Sequence, residues 1–149
     1  MLSRTASELF WMARYLERAE SFARVLDVTY KLSMMPRHSQ QQRDLALPLN
    51  LSFTHDLFQA RYARFSMDNL LSFFALDSNN PSSVYSCVEM AWNNAHAVRG
   101  SLSAEVWECI NTTRIQLKKL RQQGVDTIGV DTFFDWVKDR AHLFRGAVF

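Results

Sequence analysis

Between Arg14 and Glu20 the chain reads RYLERAE, two arginines and two glutamates around Tyr15, Leu16 and Ala19. Guanidinium groups grip carboxylates or phosphates through paired hydrogen bonds, and a neighbouring carboxylate serves as ion-pair partner or proton acceptor. At helical spacing Arg14, Glu17, Glu20, Ser21 and Arg24 share one side, with Arg18 on its border. Arg14 and Glu17 then form an i, i+3 pair, and Glu20 and Arg24 an i, i+4 pair in the favourable orientation. On a solvated face each pair contributes only about 0.2 to 0.5 kcal/mol. Phe10, Val25 and Val28 sit among these charges, which argues for cover on both flanks and a partly buried ion network. A third reading makes Arg14, Glu17, Arg18 and Glu20 a site for an anionic or peptide substrate. The residues alone leave the three readings open.

The element that must carry this cluster is a long helix. No Gly or Pro falls between Thr5 and Met34, and Trp11, Met12, Tyr15, Leu16, Ala19, Phe22, Ala23, Leu26 and Tyr30 gather on one arc. Pro36 ends it, and PRHSQQQRD reads as a polar connection. Thr54 is placed to cap a short helix through HDLFQA, and Ser66 another through MDNLLSFFAL. In NNPSS, Asn80 reads as an N-cap with Pro81 at the first helical position. The helix that follows buries Val84, Cys87, Val88, Ala91, Ala95 and Val98, and Gly100 closes it. Ser103 opens the next, with a stripe of Val106, Cys109, Ile110, Thr113, Leu117 and Leu120 ending at Gly124. QGVDTIGVD reads as a loop, and TFFDWVKDRAHLF as a last helix capped by Asp131 or Thr132. No stretch alternates with a period of two. The expected fold is all-α, an up-down bundle of four long helices plus short ones, forming a single domain over residues 1–149.

Composition narrows the function classes. Hydrophobic residues make up 48% and charged residues 21%, and Phe (11) outnumbers Gly (4) and Pro (3), which suits a helical globular chain. A formal charge of +2, with both signs interspersed, gives no field for nucleic acid or a membrane surface. Arg4, Glu8 and Arg14 interrupt what a leader would need as an apolar core, so a cytoplasmic location is expected. Cys87 and Cys109 fall on buried stripes and read as reduced core thiols. The final AVF is apolar and uncapped, as in a chain cut before its next element, with contact between copies expected at that edge.

Other chemistry has weaker support. A di-iron bundle needs Glu-x-x-His motifs, and none of His38, His55, His96 and His142 has a glutamate three residues upstream; no metal and no cofactor are expected. Ser82 and Ser83 lie in a first helical turn, where backbone capping precedes any nucleophilic role. Arg114, Lys118 and Arg121 form a basic ridge without interleaved aromatics, read as a solvated face. No glycine-rich phosphate loop or nucleophile elbow is present.

Four blocks, LSRTASELFWMARYLERAESFARVLDVTY, NNPSSVYSCVEMAWNNAHAVRG, SAEVWECIN and FFDWVKDRAHLFRG, together resemble in order the first half of the bacterial alpha-E family. The resemblance implies a chain about twice this length, with a second RYLERAD-like helix in the other half. It also implies gene neighbours of the ATP-grasp ligase and transglutaminase-like cysteine peptidase types, and so a role in peptide synthesis or modification. Arg14, Glu17, Arg18, Glu20 and Arg24 match the family's charged motif. Where relatives often carry Arg-Glu-Asn-Ala-Arg, this chain has Trp92, Asn93, Asn94, Ala95 and His96, so only Asn94 and Ala95 persist. Arg99, Glu105 and Trp107 match, which makes Asn94, Arg99 and Glu105 secondary candidates. The expectation is a non-catalytic accessory module partnering a ligase or peptidase, with a ligand-binding protein or enzyme built on Arg14, Glu17, Arg18 and Glu20 as the alternative.

Overall fold

The structure, a computed structural model, describes residues 2–35 and 41–148, without the side chains of residues 41–45. The described residues are helical throughout, with short turns and no strand: α1 (Leu2–Ser33), α2 (Gln41–Ser52), α3 (His55–Arg61), α4 (Met67–Ala75), α5 (Val84–Ala97), α6 (Ala104–Gln123), α7 (Val125–Ile128) and α8 (Val130–Val148). Among them no helix is long and apolar enough to cross a membrane.

Side-chain pairs fix the direction of the long helices. Glu8 meets Asn94 and Arg18 meets Ser82, so α1 and α5 run antiparallel. Glu89 meets Arg114 and Trp92 meets Asn111, which sets α6 against α5. Gln116 accepts from Trp136 and Thr113 from Arg140, which sets α8 against α6. Glu20 meets Arg145 and Asp27 meets Lys138, returning α8 antiparallel to α1. These last two rungs stand seven residues apart on both helices, two full turns, so both fall on one face.

The core has two parts. The larger joins Ala19, Phe22, Ala23 and Leu26 of α1 to the phenylalanines of α3, α4 and α8. Phe58, Phe73, Phe74, Phe133 and Phe134 are its largest sealed side chains, and Phe22 stacks on Phe74 at 5.6 Å. The smaller holds Met12, Ala91, Ala95, Val106, Ile110 and Phe144. The stripe expected on α5 is buried at every position. Ala91 and Ala95, both sealed, are the small residues that let α5 approach its neighbours closely.

Several boundaries differ from the sequence reading. Helix α5 starts at Val84 and is capped by Ser83, whose hydroxyl accepts from the Ser86 N–H. Asn80 is diverted: its amide donates to the Phe73 carbonyl and its oxygen accepts from the Ser82 N–H, so it holds a turn. Past α5, Gly100 sits in a short 3-10 turn over Arg99–Ser101. Thr54 precedes α3 without capping it, because its hydroxyl pairs with Ser52 at 2.6 Å. Ser66 and Ser103 cap α4 and α6 as expected. The expected loop QGVDTIGVD instead holds α7 and the start of α8, separated by Gly124 (φ 83°) and Gly129 (φ 95°). Asp131 and Thr132 therefore both lie within the first turn of α8 rather than capping it. Pro36 lies outside the described residues, and Gln41–Asp44, read as connection, form the first turn of α2. That helix continues through Pro48 at the loss of one backbone hydrogen bond.

The end of α2 carries a local strain. Phe53 has φ 56°, and the Thr54 N–H reaches back to the Leu49 carbonyl at 3.2 Å, the bond of a Schellman turn. Glycine is the usual residue at that left-handed position, since any Cβ is crowded there. Phe53→Gly is expected to raise stability by roughly 1 kcal/mol, read as a higher midpoint of urea unfolding.

Candidate functional site

The RYLERAE cluster divides around α1. Arg14 and Glu17 form a pair at 3.1 Å whose side chains are 56% and 59% exposed. A pair that open to water contributes little to folding. Arg18 bonds a different segment, donating to the Ser82 hydroxyl at 2.6 Å with its guanidinium over the Phe22 ring at 5.6 Å. Ser82 therefore serves as an anchor for α1, while Ser83 does the capping. Arg18 meets no carboxylate among the described residues.

Glu20 sits apart from these and is buried, its carboxylate shared by Arg24 at 3.3 Å and by both arms of Arg145 from α8. Burial alone would raise its pKa; Arg145 first and then Arg24 outweigh that and hold it below the ordinary 4.5. The partly buried network thus involves Glu20, and its cover comes from α8. Phe10 and Val28, which suggested cover by apolar neighbours, are 56% and 53% exposed. Asp27, also buried, repeats the arrangement with Lys31 and Lys138.

Two grooves flank α1. One, of about 470 Å³, is lined by Arg14, Glu17, Arg18 and Ser21 on α1 and by Leu51 to Phe53 at the end of α2. The other, of about 680 Å³, runs between α1, the start of α6 and the end of α8, walled by Leu9, Met12, Leu16, Val106 and Phe144. Glu17 is the one residue lining both.

The secondary candidates do not join the cluster. Asn94 donates to the Glu8 carboxylate at 2.7 Å while its own oxygen is buried without a partner. Arg99 lies over the Trp107 ring at 4.7 Å. Glu105 is in the first turn of α6, beside a shallow cavity it shares with Asp139 and His142. On the basic ridge of α6, Lys118 and Arg121 are exposed as expected, while Arg114 is half-buried, grips Glu89 with two nitrogens and covers Trp92 at 3.9 Å. Arg121 bonds the Leu76 carbonyl and the Ser78 hydroxyl over the Tyr85 ring.

Both cysteines are free thiols. Burial pushes the Cys87 pKa up to about 11, against a smaller pull from Arg18, so it stays protonated at neutral pH. Cys109 is raised as well, again chiefly by burial. Among the described residues no three His, Cys, Asp or Glu side chains gather where a metal could sit; His38 lies outside them.

Sequence reasoning missed Asp27, Asp77, Lys138, Arg145 and Phe53. Lys138 and Arg145 are seven residues apart on α8, matching the acidic pair on α1, a spacing that could have signalled the contact. Phe53 carries no such signal.

Uncharacterized proteins of Mycobacterium bovis and of two Mycobacterium tuberculosis strains, CDC 1551 and H37Rv, are each 30% identical over 117 residues. The match covers 70% of this chain and 13% of each relative, so the chain spans about an eighth of their length. No solved structure matches the chain. The Alpha-E family, described as "a predicted alpha-helical domain with a conserved ER motif", matches residues 1–149. This chain has a single Glu-Arg dipeptide, Glu17–Arg18, at the point where α1 faces the smaller groove and the Ser82 turn. An all-helical fold and that match over its whole length agree: the chain belongs to the Alpha-E family.

Proposed function

We propose that the chain is a non-catalytic helical accessory module that docks onto a component of an ATP-grasp ligase and transglutaminase-like peptidase system. The observation that carries this reading is the apolar groove of about 680 Å³ between α1, α6 and α8. Its floor is aliphatic and aromatic, while Glu17, Ser103 and Arg145 supply polar groups to it. Such a channel suits the apolar face of a helix, with charges of both signs available to set its direction. The charged residues of α1 support the same reading, because Glu20 and Asp27 are occupied in holding α8. The relatives carry the matched segment as a minor part of a much longer chain, which suits a unit that works beside others. The ligase and peptidase types come from the family resemblance.

Ala13 is exposed and lines this groove, so a long charged side chain there fills the channel without entering the core. The parent, co-expressed with the ligase and peptidase encoded nearest its gene, is expected to co-purify with one of them. Ala13→Arg is expected to weaken that association by about tenfold or more, with its unfolding midpoint unchanged. Absence of co-purification by the parent, or full retention by the folded variant, rejects the reading.

A further inference from the structure

Phe53 is unusual in two respects. Its backbone is left-handed, φ 56°, where glycine is favoured, and its ring is 91% exposed, so the strain is repaid by no burial. The ring belongs to neither core cluster. It stands instead at the edge of the cavity of about 470 Å³ whose opposite wall is the Arg14 to Ser21 face of α1. That volume lies within the range of roughly 300 to 1,000 Å³ typical of small-ligand sites.

The lining combines two kinds of contact. Trp11, Tyr15 and Phe22 contribute aromatic surface, and Trp11 is half exposed. Arg18 offers a guanidinium held by the neutral Ser82 hydroxyl, and Arg14 one held only by a water-exposed glutamate. Two guanidiniums and the Glu17 carboxylate leave one net positive charge in the groove. A singly charged anion matches that balance, whereas a phosphate dianion would meet both an excess of its own charge and repulsion from Glu17.

We infer that this groove binds a carboxylate carried on an aromatic or apolar body, about the size of one or two amino-acid residues. Arg14 and Arg18 receive the carboxylate, and Trp11 and Tyr15 line the body's path. Phe53 closes over it from α2, which accounts for a bulky ring held at a strained and solvated position. Glu20 and Arg24, grouped with these residues by sequence, take no part, since they are engaged with α8 or its partner. The site is independent of the docking groove across α1, with which it shares only Glu17. A blocked amino acid and the free end of a peptide present the same chemistry.

Calorimetry of the full chain with N-acetyl-phenylalanine, and in parallel with its uncharged amide, tests the inference. The acid is expected to bind about tenfold more tightly than the amide, and Arg14→Gln, a change at a half-exposed side chain outside the core, to remove about that factor. Phe53→Gly is expected to weaken binding severalfold while raising the unfolding midpoint, a combination that a purely structural residue does not give. A short peptide ending in phenylalanine that binds more tightly than the blocked amino acid identifies peptide termini as the source; equal affinity identifies small carboxylates. Equal binding of acid and amide, no binding of either at millimolar concentration, or an Arg14→Gln protein with parental affinity overturns the inference.

Discussion

Glu20→Ala is expected to unfold in urea with a stability about 2 to 4 kcal/mol below the parent, whereas Glu17→Ala, three residues earlier, changes it by less than about 0.5 kcal/mol. Both remove a glutamate bonded to arginine, and the difference follows from burial. The Glu20 side chain is 7% exposed and accepts from two guanidiniums; that of Glu17 is 59% exposed and accepts from one. Loss of Glu20 strands Arg145 and Arg24, which are 47% and 52% exposed and recover part of their hydration, so the effect falls short of a fully buried pair. Acidification reproduces the substitution. The folded Glu20 pKa lies below its ordinary 4.5, so the folded state binds this proton less readily than the unfolded one. Its contribution is complete above that ordinary value and is lost as pH falls through the lower folded value. A Glu20→Gln protein is expected to show a shallower decline of stability over that acidic interval than the parent, and parallel curves would remove Glu20 from the account.

Asp77→Ala is expected to cost about 2 to 4 kcal/mol, through the loss of a single buried carboxylate that ties the end of α3 to the turn before α5. One oxygen accepts from Arg61 Nε at 2.9 Å and the Tyr62 hydroxyl at 3.1 Å, both at the end of α3. The other accepts from the Asn79 N–H at 2.9 Å, and the Asp77 carbonyl accepts from Ser83, the cap of α5. Removal leaves the Tyr62 hydroxyl and the Asn79 N–H without these acceptors, while Arg61, 43% exposed, turns to water. Burial would raise the Asp77 pKa, but the Asn79 N–H, Arg61 and Tyr62 together keep it below the ordinary 3.8. The sign is therefore that of Glu20, with stability lost as pH drops through the lowered value. Urea denaturation of Asp77→Ala and Asp77→Asn at neutral pH checks this. Asp77→Asn keeps the shape but loses the charge and one acceptor, and is expected to fall between Asp77→Ala and the parent. Indifference to both substitutions would show that the end of α3 and the Asn79 turn are held without this carboxylate.

The long helices were legible because each buries a stripe at helical spacing, and Val84 to Val98 on α5 are enclosed as that spacing requires. Local capping rules were less sufficient where a side chain had a better use. Asn80 satisfies the sequence pattern of an N-cap, yet Phe73 and Ser82 claim its amide, and the helix waits for Ser83. Helix α2 was hidden by its polar opening and by Pro48, both of which argue locally against a helix. Gly124 was legible as a stop, but the four residues between it and Gly129 make one helical turn rather than a loop. The charged cluster could not be divided from sequence. Which glutamate is buried depends on where α8 lies, and only the packed structure brings Arg145 to Glu20 while leaving Glu17 beside two grooves.

The two rungs between the opening and closing helices also bear on how the molecule is made. Lys138 and Arg145 are separated from Asp27 and Glu20 by 111 and 125 positions along the chain. A ribosome releases the two acids long before it adds the two bases. Until then the two carboxylates have only their local partners on the first helix, Arg24 and Lys31. Such distant pairings are late and slow steps in folding. The seam between α1 and α8 is thus the part of the bundle that only chains translated through Arg145 can complete.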